Sequence, residues 1–258
     1  MQTRVETGFT IIETMLVLAI TGLLVAGLFV GVGTSLSIQR YRDSAESFKA
    51  LLQSQYGELA NIRNDRPDTW QCNPAGQSNS GSPEVRGQSD CIMVGRMVDI
   101  VGANVKLYTI VGIEINNPTP GNDIHVLRNN YTLRVSNVEI EQDSLDWGSE
   151  IGWPVSGTGS GGSTPRRLSI LIVRSPESGQ VYTFTSNNVY NNPSQAHIRN
   201  LIVANTGQGE RLVCIRPADN AIVGERQGVL LTSYASSASA VEMVSNSFLQ
   251  TSGRSSRC

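Results

Sequence analysis

The sequence predicts an α+β protein in which a long N-terminal helix packs on an antiparallel β-sheet domain. Three observations predict this fold. The first is an apolar run from Phe9 to Ile38, in which Glu13 is the only ionisable residue. The second is an amphipathic stripe with helical spacing directly after that run. The third is a set of alternating, turn-bounded segments that begins beyond Pro67.

The apolar run is long enough to cross a membrane. A helix from Phe9 to Ile38 would measure about 45 Å, more than the ~30 Å hydrocarbon core of a bilayer. A secretory signal peptide is disfavoured, because the run is too long for such a peptide and no A-x-A cleavage site follows promptly. A plain membrane anchor explains the length but not Glu13, since an acidic side chain within a bilayer costs about 3 kcal/mol.

The stripe predicts that the helix continues beyond the membrane segment. Apolar residues recur every three or four positions with charged residues between them, as on a helix with one buried face. No proline appears before Pro67, so the run and the stripe should form one helix of about 55 residues and about 80 Å. Residues 39–63 would lie on a globular domain formed by residues 64–258. The stripe consists of Tyr41, Ala45, Phe48, Leu52, Tyr56, Leu59 and Ile62.

The remaining chain predicts β structure with loops. Alternating apolar residues and turn signals favour antiparallel hairpins, which would form a sheet laid against the second half of the helix. The tail 232–250 is ambiguous between strand and weak helix, and two subdomains joined near residue 157 are an open alternative to one domain. The predicted strands are 91–101 with 105–115, 131–141, 167–174 with 180–185, and 200–205 with 210–216.

Composition and motifs argue against several functions. The net charge is −2 with no basic face, so nucleic acid is not indicated as a partner. His125 and His197 lie far from the cysteines, which disfavours zinc. The glycine-rich stretch 157–162 lacks the GK[ST] of a phosphate loop and is interpreted as a surface loop. No G-x-S-x-G or H-E-x-x-H motif is present. We therefore expect neither an enzyme nor a cofactor.

The four cysteines favour disulfides in an oxidising compartment. We predict Cys72–Cys91 and Cys214–Cys258, because each bridge closes a segment that otherwise lacks support. The first ties off the polar stretch 73–90, and the second anchors the serine-rich C-terminal tail. The alternative is that Cys258 is a free or intermolecular thiol.

The start of the chain resembles the signature of type IV prepilins, which type IV pilins share with type II secretion pseudopilins. A short polar leader ends in Gly8 and is followed by Phe9, Thr10, two isoleucines, Glu13 and an apolar helix that contains Gly22. The resemblance is specific over residues 8–22 and extends as architecture to about residue 63. The proline that often follows Gly22 by about two turns is missing, and Gly27, Gly31 and Gly33 stand in that region instead.

This resemblance implies cleavage between Gly8 and Phe9 by a membrane-embedded prepilin peptidase, followed by N-methylation of Phe9. Residues 1–8 would be the leader and residues 9–38 the transmembrane and filament-core helix. It also implies that Glu13 is the charge complement of the Phe9 amine of a neighbouring subunit, because an unpaired buried charge is strongly unfavourable. The alternative is that Glu13 reaches the headgroups near the membrane surface.

The function implied is that of a structural subunit of a type IV pilus or related filament. Its expected partners are copies of itself or other pilins, the prepilin peptidase and methylase, the inner-membrane assembly platform and the membrane. The protein would reside in the cytoplasmic membrane with its N-terminus in the cytoplasm, and then in an extracellular pilus. The alternatives are a minor or tip pilin with a role in adhesion or DNA uptake, and a type II secretion pseudopilin.

Overall fold

The computed structural model confirms the predicted α+β fold, with a long N-terminal helix and an antiparallel β domain. For residues 70, 78, 138, 139 and 156 only the backbone is described. The structure describes residues 10–60, 70–73, 77–81, 89, 91–156, 166–203, 207–218, 223–254 and 256–258.

Helices and strands are numbered in chain order within these described residues. The helices are α1 (Ile11–Ala60), α2 (Asp123–Asn129), α3 (Gln195–Leu201) and α4 (Asn246–Thr251), with short 3₁₀ turns at Asp146–Gly148 and Ala238–Ala240. The strands are β1 (Trp70–Cys72), β2 (Ser78–Ser80), β3 (Ile92–Val101), β4 (Asn104–Glu114), β5 (Tyr131–Ser144), β6 (Glu150–Gly152), β7 (Val155–Ser156), β8 (Arg167–Arg174), β9 (Val181–Ser186), β10 (Arg211–Arg216), β11 (Gln227–Leu231), β12 (Val241–Ser245) and β13 (Ser256–Arg257).

Two antiparallel sheets form the β domain. The larger has five strands in the order β5-β4-β3-β8-β9, and the smaller has four in the order β12-β11-β10-β6. The predicted hairpins β3–β4 and β8–β9 are both present, and β5 pairs with β4. Short ladders also join β1 to β2 and β7 to β13.

The second half of α1 packs against both sheets. Its buried residues Tyr41, Ala45, Phe48, Leu52, Tyr56 and Leu59 are members of the stripe that the sequence predicts, while Ile62 lies outside the described residues. They share one hydrophobic core with apolar side chains of β3, β4 and β8 and of β6, β10, β11 and β12. Helix α1 therefore lies where the two sheets meet.

A second core lies on the opposite face of the five-stranded sheet. Side chains alternate along a strand, so Val98 and Ile100 face α1 while Met97 faces the second core. This core is closed by α2 and α3, which contribute Leu127 and Ile198 among others.

Backbone hydrogen bonds join the two sheets at the β3–β4 turn. Gly102, which has φ of 61°, donates to the Arg166 carbonyl at 3.1 Å and accepts from the Ile151 N–H of β6 at 3.0 Å. Glycine suits this position because side-chain-bearing residues rarely adopt positive φ. The turn of the larger sheet is thus bonded to an edge strand of the smaller one.

One predicted hairpin was wrong. Of the predicted strand 200–205, residues 200 and 201 belong to α3 and residues 202 and 203 lie in no strand, while residues 204 and 205 are outside the described part of the chain. The helix is favoured by a reciprocal cap in which Ser194 and His197 each accept from the other's backbone N–H. The partner segment was correct and forms β10. The ambiguous tail contains both predicted states, a strand in β12 and a helix in α4.

Both expected disulfides are present in the structure. Cys72 is bonded to Cys91 with Cα atoms 5.8 Å apart, and Cys214 to Cys258 with Cα atoms 5.2 Å apart. Cys258 is buried, and the chain before it forms β13, which pairs with β7. The C-terminal segment is therefore tied to the smaller sheet by a covalent bond and to β7 by strand pairing.

A buried carboxylate, Asp99, lies on the face of β3 that points away from α1. Ser169 donates a hydrogen bond of 2.6 Å to Oδ1, and Oδ2 has no hydrogen-bond partner within the described residues. Burial is the largest effect and raises the pKa of Asp99 to about 6.

This pKa shift predicts a pH dependence of stability. The folded protein holds the Asp99 proton more tightly than the unfolded chain does, where the pKa is near 3.8. The contribution of protonated Asp99 to folding stability is complete below pH 3.8 and is lost as pH rises through about 6. Asp99→Asn should remove this fall and raise the free energy of unfolding near neutral pH by up to about 3 kcal/mol. Urea unfolding of both proteins on either side of this window tests it, and equal pH slopes would contradict it.

Candidate assembly site

The first half of α1 has no cover in the isolated chain. Every residue from Thr10 to Gly33 is exposed, with Ile11 at 75% and Phe29 at 74% of their full accessible surface. One helix in the described chain, Ile11–Ala60, is long and apolar enough to cross a membrane. So large an apolar surface is unfavourable in water. Lipid or other apolar helices would remove this surface from water.

Hydrogen bonds between Thr10 and Glu13 cap the start of this helix. The Thr10 backbone N–H and hydroxyl donate to Glu13 Oε2 at 2.9 and 3.0 Å, and the Glu13 N–H donates to Thr10 Oγ1 at 3.3 Å. This reciprocal arrangement is a capping box, which satisfies backbone donors that have no partner at a helix N-terminus. Glu13 therefore has a structural role in addition to the charge role expected from the sequence.

The capping box leaves part of the Glu13 carboxylate available. Within the described residues the carboxylate accepts hydrogen bonds through Oε2, and no cationic side chain there forms a salt bridge with it. Gly8 and Phe9, the expected cleavage pair, lie outside the described residues. Thr10 was missed as a functional residue, although the T-x-x-E pattern before an apolar run signals a capping box.

The glycines of the apolar half do not interrupt α1, which is continuous from residue 11 to residue 60. A Cβ atom added to Gly22, Gly27, Gly31 or Gly33 would meet nothing within 4 Å. No contact within the described chain therefore requires glycine at these four positions.

Buried polar contacts hold the second half of α1 on the β domain. They thereby fix the direction in which the exposed half leaves the domain. Arg96 of β3 is buried on the α1 side of the sheet and donates to Gln55 Oε1 at 3.0 Å and to Thr109 Oγ1 at 2.6 Å. It also forms salt bridges of 2.7 Å with Glu58 and 3.2 Å with Glu141. One guanidinium thus joins α1 to three strands of the larger sheet.

Tyrosines of α1 make corresponding bonds to both sheets. The Tyr41 hydroxyl donates to the Ile215 carbonyl at 2.9 Å and accepts from the Gln227 N–H at 2.8 Å, which joins α1 to β10 and β11. The Tyr56 hydroxyl lies 2.9 Å from Thr183 Oγ1 on β9. Burial raises the pKa of Tyr56 to about 12, so its hydroxyl keeps its proton well above neutral pH.

Two surface cavities lie elsewhere in the described chain. One of about 390 Å³ lies between α1 and β5, and one of about 350 Å³ has Asp99 and Lys106 in its wall. Within the described residues, no group of three or more histidine, cysteine, aspartate or glutamate side chains could hold a metal ion. The sequence prediction that the protein is not an enzyme stays a prediction.

Comparison with known proteins gives no further assignment: no protein-family profile, curated protein or solved structure significantly matches this chain.

Proposed function

We propose that the protein is a structural subunit of a type IV pilus or a related filament. The observation that carries this proposal is the division of α1 into two halves. The second half is built into the β domain, while the first is exposed and apolar on all sides. A helix of this kind suits a subunit that is held in a membrane and then transferred into a bundle of identical helices.

The N-terminal residues supply the second line of support. Gly8, Phe9, Thr10 and Glu13 match the prepilin signature in type and spacing. Cleavage between Gly8 and Phe9 would leave the Thr10 amide intact, so the capping box could persist in the mature subunit. Glu13 Oε2 would cap its own helix, and Oε1 would accept from the Phe9 amine of a neighbour.

The proposed life cycle has two locations. The precursor resides in the cytoplasmic membrane with its N-terminus in the cytoplasm, where the prepilin peptidase cuts it and methylates Phe9. An inner-membrane assembly platform then transfers the mature subunit into an extracellular filament, in which α1 exchanges lipid for neighbouring pilin helices. The two disulfides suit the oxidising side of the membrane.

A minor or tip pilin is the second candidate. The observation that favours it is the size of the globular part, which has a four-stranded sheet in addition to the five-stranded one. A tip subunit that engages a surface, or takes part in DNA uptake, uses such additional surface for binding. A type II secretion pseudopilin has the same N-terminal requirements. Neighbouring genes for a secretin or for a retractile-pilus ATPase distinguish the two systems.

Mass spectrometry of sheared surface filaments tests the proposal. The protein should be present with Phe9 as its first residue, lighter by the eight-residue leader and heavier by one methyl group. It should dominate the filament mass if it is a major pilin and be scarce if it is a minor one. Filament protein that still begins at Met1 would refute the family assignment.

A further inference from the structure

An exposed tryptophan lies at the end of the β domain nearest the apolar half of α1. Trp147 is 54% exposed, and its φ of 57° is a left-handed conformation that is costly for a bulky side chain. The turn that carries it is fixed on both sides, by the Leu145 N–H donating to Ala103 O at 2.8 Å and the Ser149 N–H donating to Asp146 O at 3.1 Å. The fold thus holds an aromatic ring in solvent at a conformational cost.

The ring is coupled directly to α1. The Arg40 guanidinium carbon lies 4.8 Å from the Trp147 ring centroid, a cation–π contact. Gly224 of another loop lies close to Ile38, since a Cβ added there would be 3.7 Å from Ile38 Cγ2. This end of the β domain therefore surrounds α1 where its apolar run ends.

Helix geometry gives the level of Trp147 relative to a bilayer. The distance along α1 from Ile11 to Ile38 is about 40 Å at 1.5 Å per residue, close to the 40–45 Å of a bilayer with its headgroups. Arg40 lies about 3 Å further along the axis. A subunit that spans the membrane with this segment places Arg40 and Trp147 at the headgroup layer.

We propose that Trp147, supported by Arg40, docks the β domain on the lipid headgroups of the membrane before assembly. This inference rests on the proposed function, because it requires α1 to span the membrane. Tryptophan is enriched at this depth because its ring is apolar and its N–H is polar, and arginine can place its stem on apolar surface and its head among phosphates. Arg40 and Arg42 are balanced by Asp43 and Asp146, so the contact depends on the ring rather than on anionic lipid.

Tyr234 supplies a comparison within the same molecule. It is 66% exposed and has φ of 56°, but it lies beside Thr183, whose hydroxyl contacts Tyr56. Tyr56 is about 24 Å further along α1 than Arg40. An aromatic ring at position 234 should therefore remain in water while the ring at position 147 contacts lipid.

Fluorescence quenching by nitroxide-labelled lipids tests the proposal with the full-length protein in phosphatidylcholine vesicles. The label is carried either on the headgroup or near the end of the acyl chain. The headgroup label should quench up to about a third of the emission of the parent, because Trp147 is one of three tryptophans. The label near the end of the acyl chain should quench the Trp147 emission less than the headgroup label does. Trp147→Phe should lose the headgroup-dependent fraction, and Tyr234→Trp in the Trp147→Phe background should not restore it.

Vesicle flotation separates failure of this inference from failure of the proposed function. Protein that floats with the vesicles, yet shows equal quenching in the parent and in Trp147→Phe, overturns the lipid contact and leaves the membrane helix intact. Protein that does not float overturns both. A change of Trp147 emission that occurs only in filaments also overturns the lipid contact, and identifies a neighbouring subunit as the partner instead.

Discussion

Glu13→Ala is expected to abolish most incorporation of the protein into filaments while leaving membrane insertion intact. Removal of the carboxylate makes the apolar helix easier to insert, since an acidic side chain costs about 3 kcal/mol in a bilayer. In the filament the same change leaves the Phe9 amine of a neighbour without its complement, and an unpaired buried charge costs about 3–5 kcal/mol. Comparing the subunit in membranes and in sheared filaments by immunoblot measures both effects.

Two matched variants separate the charge of Glu13 from its capping role. Glu13→Gln keeps an oxygen that can accept from the Thr10 N–H but removes the charge, so it should assemble as poorly as Glu13→Ala. Thr10→Val removes the hydroxyl bonds of the cap and keeps the charge, so it should assemble nearly normally. Full assembly of Glu13→Gln would contradict the charge-pair account. If the protein is a tip subunit, no earlier subunit is present to form the charge pair. Its loss of assembly in all of these variants should then be milder.

Phe48→Ala in α1 should cause a large loss of folding stability. Phe48 is 2% exposed and lies in the core that α1 shares with both sheets. Truncation of a buried phenylalanine costs about 3–5 kcal/mol through lost burial and the cavity left behind. Domains have a total stability of about 5–15 kcal/mol. The unfolding midpoint of the full-length protein in detergent should fall by about 10 °C.

Glu46→Ala is the control for that substitution. Glu46 lies two residues earlier on the same helix and is exposed, so its change should stay within about 0.5 kcal/mol. A similar loss in both variants would mean that the helix, rather than the shared core, limits stability. An unchanged midpoint in Phe48→Ala would contradict the packing described for α1.

The sequence could predict those features of the fold that depend on local residue patterns. The buried stripe of α1 follows from three-and-four spacing, and the hairpins β3–β4 and β8–β9 follow from alternation around clear turn signals. The smaller sheet was harder to predict from the sequence, because its edge strand β6 has only three residues. Strand β6 pairs with β10, where Cys214 lies opposite Gly152. Helix α3 was not predicted, and its last two residues were included in a predicted strand, because its cap uses His197 in place of the usual glutamate or glutamine.

The candidate assembly site likewise has features that the sequence could predict and features that it could not. Glu13 could be singled out because a lone acid in an apolar run is costly in a membrane, and its bond to Thr10 is local. The contact between Arg40 and Trp147 could not be predicted, because it joins residues far apart in sequence through the packing of α1 on both sheets. The positive φ of Trp147 could not be predicted either, because nothing about the residue type indicates it.

The bonds from both sheets to α1 would have a mechanical consequence in the proposed filament when it is under tension. Load carried along the packed helices would enter each globular domain through Tyr41 and through the salt bridges of Arg96. Tyr41 bonds strands of the smaller sheet and Arg96 bonds strands of the larger one. Extraction of the helix would therefore have to shear both sets of bonds together instead of peeling them one after another. The domain should resist pulling along the helix axis far better than pulling on an edge strand.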